Sequence, residues 1–303
     1  MRKMLAVAAV SFLPLLAPAR ARAQEPSAVA IKTVPVAGSV SMLEGQGGNL
    51  GVSAGPDGLF MIDDQYAVMT DNIKKALAAI GQQPLRFIVN THWHGDHTGG
   101  NENFGKTGAV IVAHDNVRKR MSTEQFMKAF SKTVPPSPAI ALPVVTFADA
   151  VTFHLNGDDI SVFHVAPAHT DGDSVVIFKK ANVIHTGDVF FNGIYPFIDV
   201  SSGGSINGTI EAAERILNLA DEKTKIIPGH GPLADKAALK VYRDMLATVR
   251  DRVTAAIKDG KTLEQVQMMK PTADLDAVWG KGFLKPEQFV MIVYSSLDSS
   301  VVH

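Results

Sequence analysis

The chain has 303 residues, 46% of them hydrophobic and 19% charged, with a formal net charge of -1. That balance excludes a disordered polar chain and removes the electrostatic case for nucleic acid as a main partner. No cysteine is present, which excludes a thiol nucleophile, a cysteine-built zinc knuckle and an iron–sulfur cluster, and leaves an exported chain without disulfides.

The first residues read as an export leader. Arg2 and Lys3 form a short basic start, residues 4–17 are an apolar run broken by Pro14, and Ala21-Arg22-Ala23 places small residues where a signal peptidase cuts. A membrane anchor would need about 20 apolar residues, more than this run supplies. The expectation is a signal peptide over 1–23 and a single domain over 24–303. The mature protein is then exported, most simply to a periplasm, with no stable membrane insertion.

Short β-rich runs predict strands at 31–36, 39–43, 49–53 and 58–62. Tyr66, Met69, Ile73, Leu77 and Ile80 recur at helical spacing, and Gly81 stops that helix. A buried strand at 85–89 runs directly into a histidine-rich turn. A strand at 109–113 precedes a helix reaching to about Phe130, and the proline-rich stretch 133–143 reads as a loop. Strands resume at 144–147, 151–155, 160–165, 175–179 and 183–186. Ser205 can cap a helix marked by Ile206, Ile210, Ala213 and Leu217. After a strand at 225–227, a long amphipathic helix spans 235–260, and 286–297 again reads as helical. Strands and helices interleave in both halves, which two sheets packed face to face with helices outside would satisfy: an α/β fold.

The chemistry concentrates in Thr91-His92-Trp93-His94-Gly95-Asp96-His97. Imidazole and carboxylate are the ligands that zinc and related divalent ions accept. Side chains alternate along extended backbone, so His92 and His94 point the same way and can grip one ion. Asp96 and His97, beyond the turn at Gly95, can face a second. Four ligands cannot complete two sites, and the remaining candidates lie in polar turns after apolar strands: His169, Asp188 and His230. His114, His154, His164, His185 and His303 read as structural. Asp63 and Asp173 are either supports for the ligands or plain strand-end carboxylates. Phe190, Phe191, Tyr195 and Phe197 form either an aromatic wall beside the metals or ordinary core.

These four segments, in this order, resemble the metallo-β-lactamase superfamily over nearly the whole mature chain. The resemblance implies a four-layered αββα sandwich with the site at one edge of its sheets. It implies that His92, His94 and His169 hold one metal, that Asp96, His97 and His230 hold a second, and that Asp188 bridges both. Two divalent ions, expected to be Zn(2+), would share a nucleophilic hydroxide, with Asp96 orienting it and passing a proton to the leaving group. The reaction expected is hydrolysis of an ester, thioester, lactone or similar carbonyl bond in a small-molecule substrate. Two other readings stand beside it. Export favours an exported β-lactamase, but the bridging Asp188 resembles the thioesterase, lactonase and phosphodiesterase branches, and residues 189–194 lack the lysine often used for a β-lactam carboxylate. An iron-dependent sulfur oxidoreductase would use fewer ligands than the seven present. Oligomeric state has no signature in the sequence.

Overall fold

The computed structural model describes residues 28–298; the leader assigned to 1–23 and His303 lie outside them. The first sheet has seven strands in sequence order: Lys32–Ala37, Val40–Glu44, Leu50–Gly55, Gly58–Ile62, Leu85–Asn90, Val110–His114 and Val145–Phe147. Its first four strands pair antiparallel; from Gly58–Ile62 onward the pairs are parallel. The second sheet comprises Ala150–Leu155, Asp158–His164, Ser174–Phe178, Val183–His185, Lys225–Ile227 and Ala234–Asp235, with one parallel pair, Val183–His185 beside Lys225–Ile227.

Alternation along the strands builds three apolar layers. Phe60 and Ile62 face inward to meet Val176 and Phe178 of the other sheet. Leu59 and Met61 face outward under Ile73 and Leu77 of the helix Thr70–Ile80. On the far side, Val175 and Ile184 meet the helices Ile206–Leu219, Lys236–Lys258 and Pro286–Leu297. Helix, sheet, sheet and helix are thus stacked, and strands covered on both faces read as continuous apolar runs.

Two elements differ from the sequence-based expectation. The helix after Val110–His114 ends at Met121, not near Phe130. The Ser122 hydroxyl donates to the Arg118 carbonyl, and the Gln125 amide donates to Arg120 and Thr123, which ties off the last turn. A small hairpin follows, Gln125–Met127 against Lys132–Val134, with a 3-10 turn at Lys128–Phe130; its second strand takes the start of the stretch expected to be loop. The short helices Leu263–Met268 and Asp276–Trp279 were too brief for periodicity to announce. Among the described residues no helix is long and apolar enough to cross a membrane.

Leu246 is fully buried on the long helix, whereas Val241 is 58% exposed on the same helix. Leu246→Ala is expected to cost about 2–5 kcal/mol and Val241→Ala under about 0.5 kcal/mol in urea unfolding. Equal costs would contradict this packing.

Candidate metal centre

The carboxyl ends of parallel strands gather the site. Asp63 follows Gly58–Ile62, and residues 91–97 follow its parallel neighbour Leu85–Asn90. In the second sheet Asp188 follows Val183–His185, and His230 follows Lys225–Ile227, again a parallel pair. His169 leaves the turn after Asp158–His164. Parallel strands end on the same edge, so residues far apart in sequence meet there.

All seven residues singled out from the sequence come together. Three groups have ligand atoms within 4.8 Å of one another: His92, His94 and His169; His92, His97 and Asp188; Asp96, His97 and His230. Asp188 stands between the first and last. Its Oδ1 lies 3.1 Å from His97 Nε2, and its Oδ2 lies 3.8, 3.5 and 3.4 Å from the Nε2 atoms of His92, His169 and His230. Asp96 Oδ2 is 3.3 Å from His230 Nε2 and 3.7 Å from His97 Nε2.

The tautomers follow from the partners on the far side of each ring. His169 Nδ1 must donate to the Phe197 carbonyl at 2.7 Å. His94 Nε2 donates to the Asp199 carboxylate at 2.9 Å, and His97 Nδ1 to Asp63 at 2.7 Å. The Thr91 hydroxyl gives its one proton to Asp63, so it accepts from His92 Nδ1 at 3.1 Å. In its neutral form each of these rings turns a lone pair inward. His169 Nε2 and His94 Nδ1 face each other at 2.9 Å, and His97 Nε2 faces His230 Nε2 at 3.4 Å. Buried lone pairs at such distances need a cation between them. His92 Nε2 and Asp188 Oδ1 are buried without a hydrogen-bond partner, in the same place. The donor set therefore fits divalent metal ions.

Residues 35–230 match the profile of the Metallo-beta-lactamase superfamily. This chain belongs to the metallo-β-lactamase superfamily. A hydroxyacylglutathione hydrolase of Pelagibacter ubique is 28% identical over 150 residues, 48% of this chain and 52% of that protein. The chain thus spans about half the length of that relative. A probable metallo-hydrolase, YqgX, of Bacillus subtilis is 24% identical over 195 residues, 58% of this chain and 85% of the relative. Among solved structures, a metallo-β-lactamase from Pontibacter korlensis superposes with a TM-score of 0.59 at 18% identity, over 72% of this chain and 99% of the other. The sec-alkyl sulfatase PisA1 gives a TM-score of 0.65 at 16% identity, over 88% and 50%. These structural likenesses establish the fold: the α/β sandwich of metallo-β-lactamase-superfamily proteins.

In this metallo-β-lactamase-superfamily chain, burial and neighbouring charge compete at the ligands. Burial opposes charge on His97, but the carboxylates of Asp188, Asp96 and Asp63 outweigh it and hold its pKa well above the ordinary value. His230 is pushed up to about 9, again against burial, by Asp188 and Asp96. His169 drops to about 4 because burial prevails. Burial also raises the Asp173 carboxyl to about 7; its hydrogen bonds from Thr170 brace the turn that carries His169.

The other histidines stand apart. His185 has both ring nitrogens engaged, with Asn49 O and Gly187 N. His114 caps its helix through Asn116 N and stacks on His164. His154 is exposed and pairs with Asp159. Of the four aromatics, Phe191 stacks on His230 and Phe197 packs on His94 and His169, while Phe190 and Tyr195 belong to the core, against Tyr242 and Phe289.

Two contributors were not read from the sequence. Asp199 looks like any loop aspartate, and the Phe197 carbonyl has no sequence signature. Asp199 accepts from His94, the hydroxyls of Ser201 and Ser202, and Ser202 N. An amide cannot accept on its nitrogen. Asp199→Asn is therefore expected to weaken metal binding about 10–100-fold in competition with a chelator. His154→Ala, the control, should leave it unchanged; the same affinity in both variants would remove Asp199 from the support of His94.

Proposed function

We propose that the protein is an exported hydrolase that holds two divalent cations, zinc in both positions, and cleaves a carboxylic ester, thioester or lactone. The observation that carries this reading is the place of Asp188, whose two oxygens lie 3.1–3.8 Å from imidazoles of both ligand groups. His92, His94 and His169 would hold one cation, Asp96, His97 and His230 the other, and Asp188 would serve both. When bound, such a pair polarises a carbonyl oxygen and lets water ionise near neutral pH.

The chain's own residues do the rest. Asp188 adds negative charge at the junction and fixes the spacing of the two groups. The outward hydrogen bonds to Phe197 O, Asp199, Asp63 and Thr91 hold the rings in one orientation. Asp96 and His230 are the part-exposed members of the cluster, with side chains 23% and 21% exposed. Asp96 thus stands at the opening, where it can orient water and return a proton to the leaving group. The relatives named hydroxyacylglutathione hydrolase support hydrolysis of an acyl bond. Likeness to solved metallo-β-lactamases supports only the shared scaffold.

Elemental analysis after dialysis is expected to find about two metal ions per chain, in line with seven ligands where one tetrahedral ion needs four. Chelation should abolish turnover. Asp188→Asn should lower kcat/KM about a hundredfold or more, because a neutral amide bridges two cations poorly. Across a lactone, a thioester, a phosphodiester and nitrocefin, the first two should be cleaved best. A fully active one-metal protein would overturn the two-metal reading, and efficient nitrocefin cleavage without ester, thioester or lactone turnover would replace the substrate class by β-lactams.

Export follows from the basic, apolar and small-residue pattern of residues 1–23. The intact mass of the exported protein should correspond to a chain beginning near Gln24. Retention of Met1 would end that part of the proposal.

A further inference from the structure

The metal cluster is flanked by aromatic rings that the catalytic reading does not use. Phe197, nearly buried, packs 5.7 Å from His94 and 5.8 Å from His169, centroid to centroid. Phe130 covers it at 4.8 Å and remains 43% exposed. Phe130 comes from the 3-10 turn of the hairpin over 125–134, a segment with no ligand of its own. On the His230 side the arrangement recurs: Phe191 stacks on His230 at 5.0 Å, and Phe283, 54% exposed, lies 6.4 Å beyond it. Two rings from separate segments therefore stand in water, each resting on a ring that walls the cluster. Exposed apolar surface joined to a polar reaction centre is the signature of a site for an apolar ligand group.

A cavity adjoins the first of these ledges. Ala129 and Ile198, the neighbours of Phe130 and Phe197, both line it, together with Val200, Leu263, Met291 and Ile292; its volume is about 470 Å³. Lys128 and Ser295 complete the wall with Asp199 and Ser201. The Asp199 carboxylate is taken up by His94, Ser201 and Ser202, so it offers little to a charged ligand. Small-ligand sites run from about 300 to 1,000 Å³, are mostly apolar, and carry a few placed polar groups. This cavity has that size and make-up, and it shares residues 198–201 with the support of the metal cluster.

We infer that the acyl group of the substrate is a linear apolar chain, lying on the Phe130–Phe197 ledge and ending in the cavity behind it. The reaction assumed is the hydrolysis argued above, but the residues that select the chain are not those that hold metal. Phe130 and Met291 are specificity-determining positions: one is the ledge, the other part of the far wall. Each methylene moved out of water contributes several-fold to affinity. A longer chain should therefore bind and react better until the cavity is full.

The test uses the metal-loaded mature protein and compares octanoate with acetate by calorimetry. The two carboxylates are alike, so the ratio of affinities isolates the chain. Octanoate is expected to bind at least about a hundredfold tighter, and p-nitrophenyl octanoate should exceed the acetate ester in kcat/KM in the same sense. Phe130→Ala removes the ledge and Met291→Trp fills the cavity. Each, with unchanged circular dichroism and metal content, should cut the octanoate-to-acetate affinity ratio about tenfold. Equal affinities in the wild type, or a ratio that neither variant moves, overturns the inference. Tight octanoate binding with no turnover of any ester, thioester or lactone leaves the apolar-chain site standing and ends the hydrolase reading; turnover of short esters without any preference for the longer acid does the reverse.

Discussion

Five imidazoles and two carboxylates meet at the edge of two sheets, five of the seven side chains buried, with lone pairs directed at one another. Only positive charge between them makes that arrangement tolerable, and much of the surrounding structure serves to keep the rings from turning away. The Asp63 carboxylate is the clearest case. It accepts from Thr91 N, from the Thr91 hydroxyl and from His97 Nδ1, at 2.7–2.8 Å. One buried side chain thereby orients His97 directly and His92 through Thr91. Asp63 itself sits at φ 60, in left-handed backbone that a residue with a Cβ adopts at some cost. Its backbone amide still donates to Val89 O at 2.9 Å, so the turn is held by the sheet.

The loop 197–202 does for the other ligand group what Asp63 does here. Its Phe197 carbonyl fixes His169, and its Asp199 fixes His94. The Ser202 hydroxyl accepts a hydrogen bond from Trp93 Nε1 and donates one to Asp199, which links the histidine-rich turn back to the same loop. Because residues 198–201 also line the apolar cavity, ligand orientation and substrate accommodation share one segment. A change that moves the loop to widen the cavity would also move the acceptors behind two histidines.

The ligands were legible in the sequence to different degrees, for physical reasons. Residues 92–97 stood out because the geometry that joins them is local: alternation along extended backbone and one turn at Gly95. His169, Asp188 and His230 showed themselves only as polar residues after apolar strands, and their roles came from resemblance, since nothing local fixes a partner 70 or more residues away in sequence. The layers were legible where alternation is strong, as in Leu59 to Ile62. The hairpin over 125–134 was not, because Arg120, Gln125 and Asp171 end the preceding helix through side-chain bonds that periodicity does not register. Hidden for the same reason were the partners of the rings. A backbone carbonyl carries no residue identity, and Asp199 in Phe-Ile-Asp-Val-Ser-Ser resembles any loop aspartate.

The density of the centre explains its glycines and its protons together. A Cβ on Gly48 would lie 2.1 Å from the His97 ring, and one on Gly229 would lie 2.0 Å from Asp188 Oδ1. The backbone itself forms the wall there, close against both side chains. Asp188 and Asp96 push the His230 imidazole up to about 9 against burial. A raised pKa stabilises the folded metal-free chain below the unfolded value of about 6.5 and loses that contribution as pH climbs through the folded one. Cations act in the opposite direction, since an imidazole must lose its proton to bind one. Protons and metal ions are therefore alternative occupants of the same charge deficit: the proton-bound form prevails at low pH and the metal-bound form gains as pH rises.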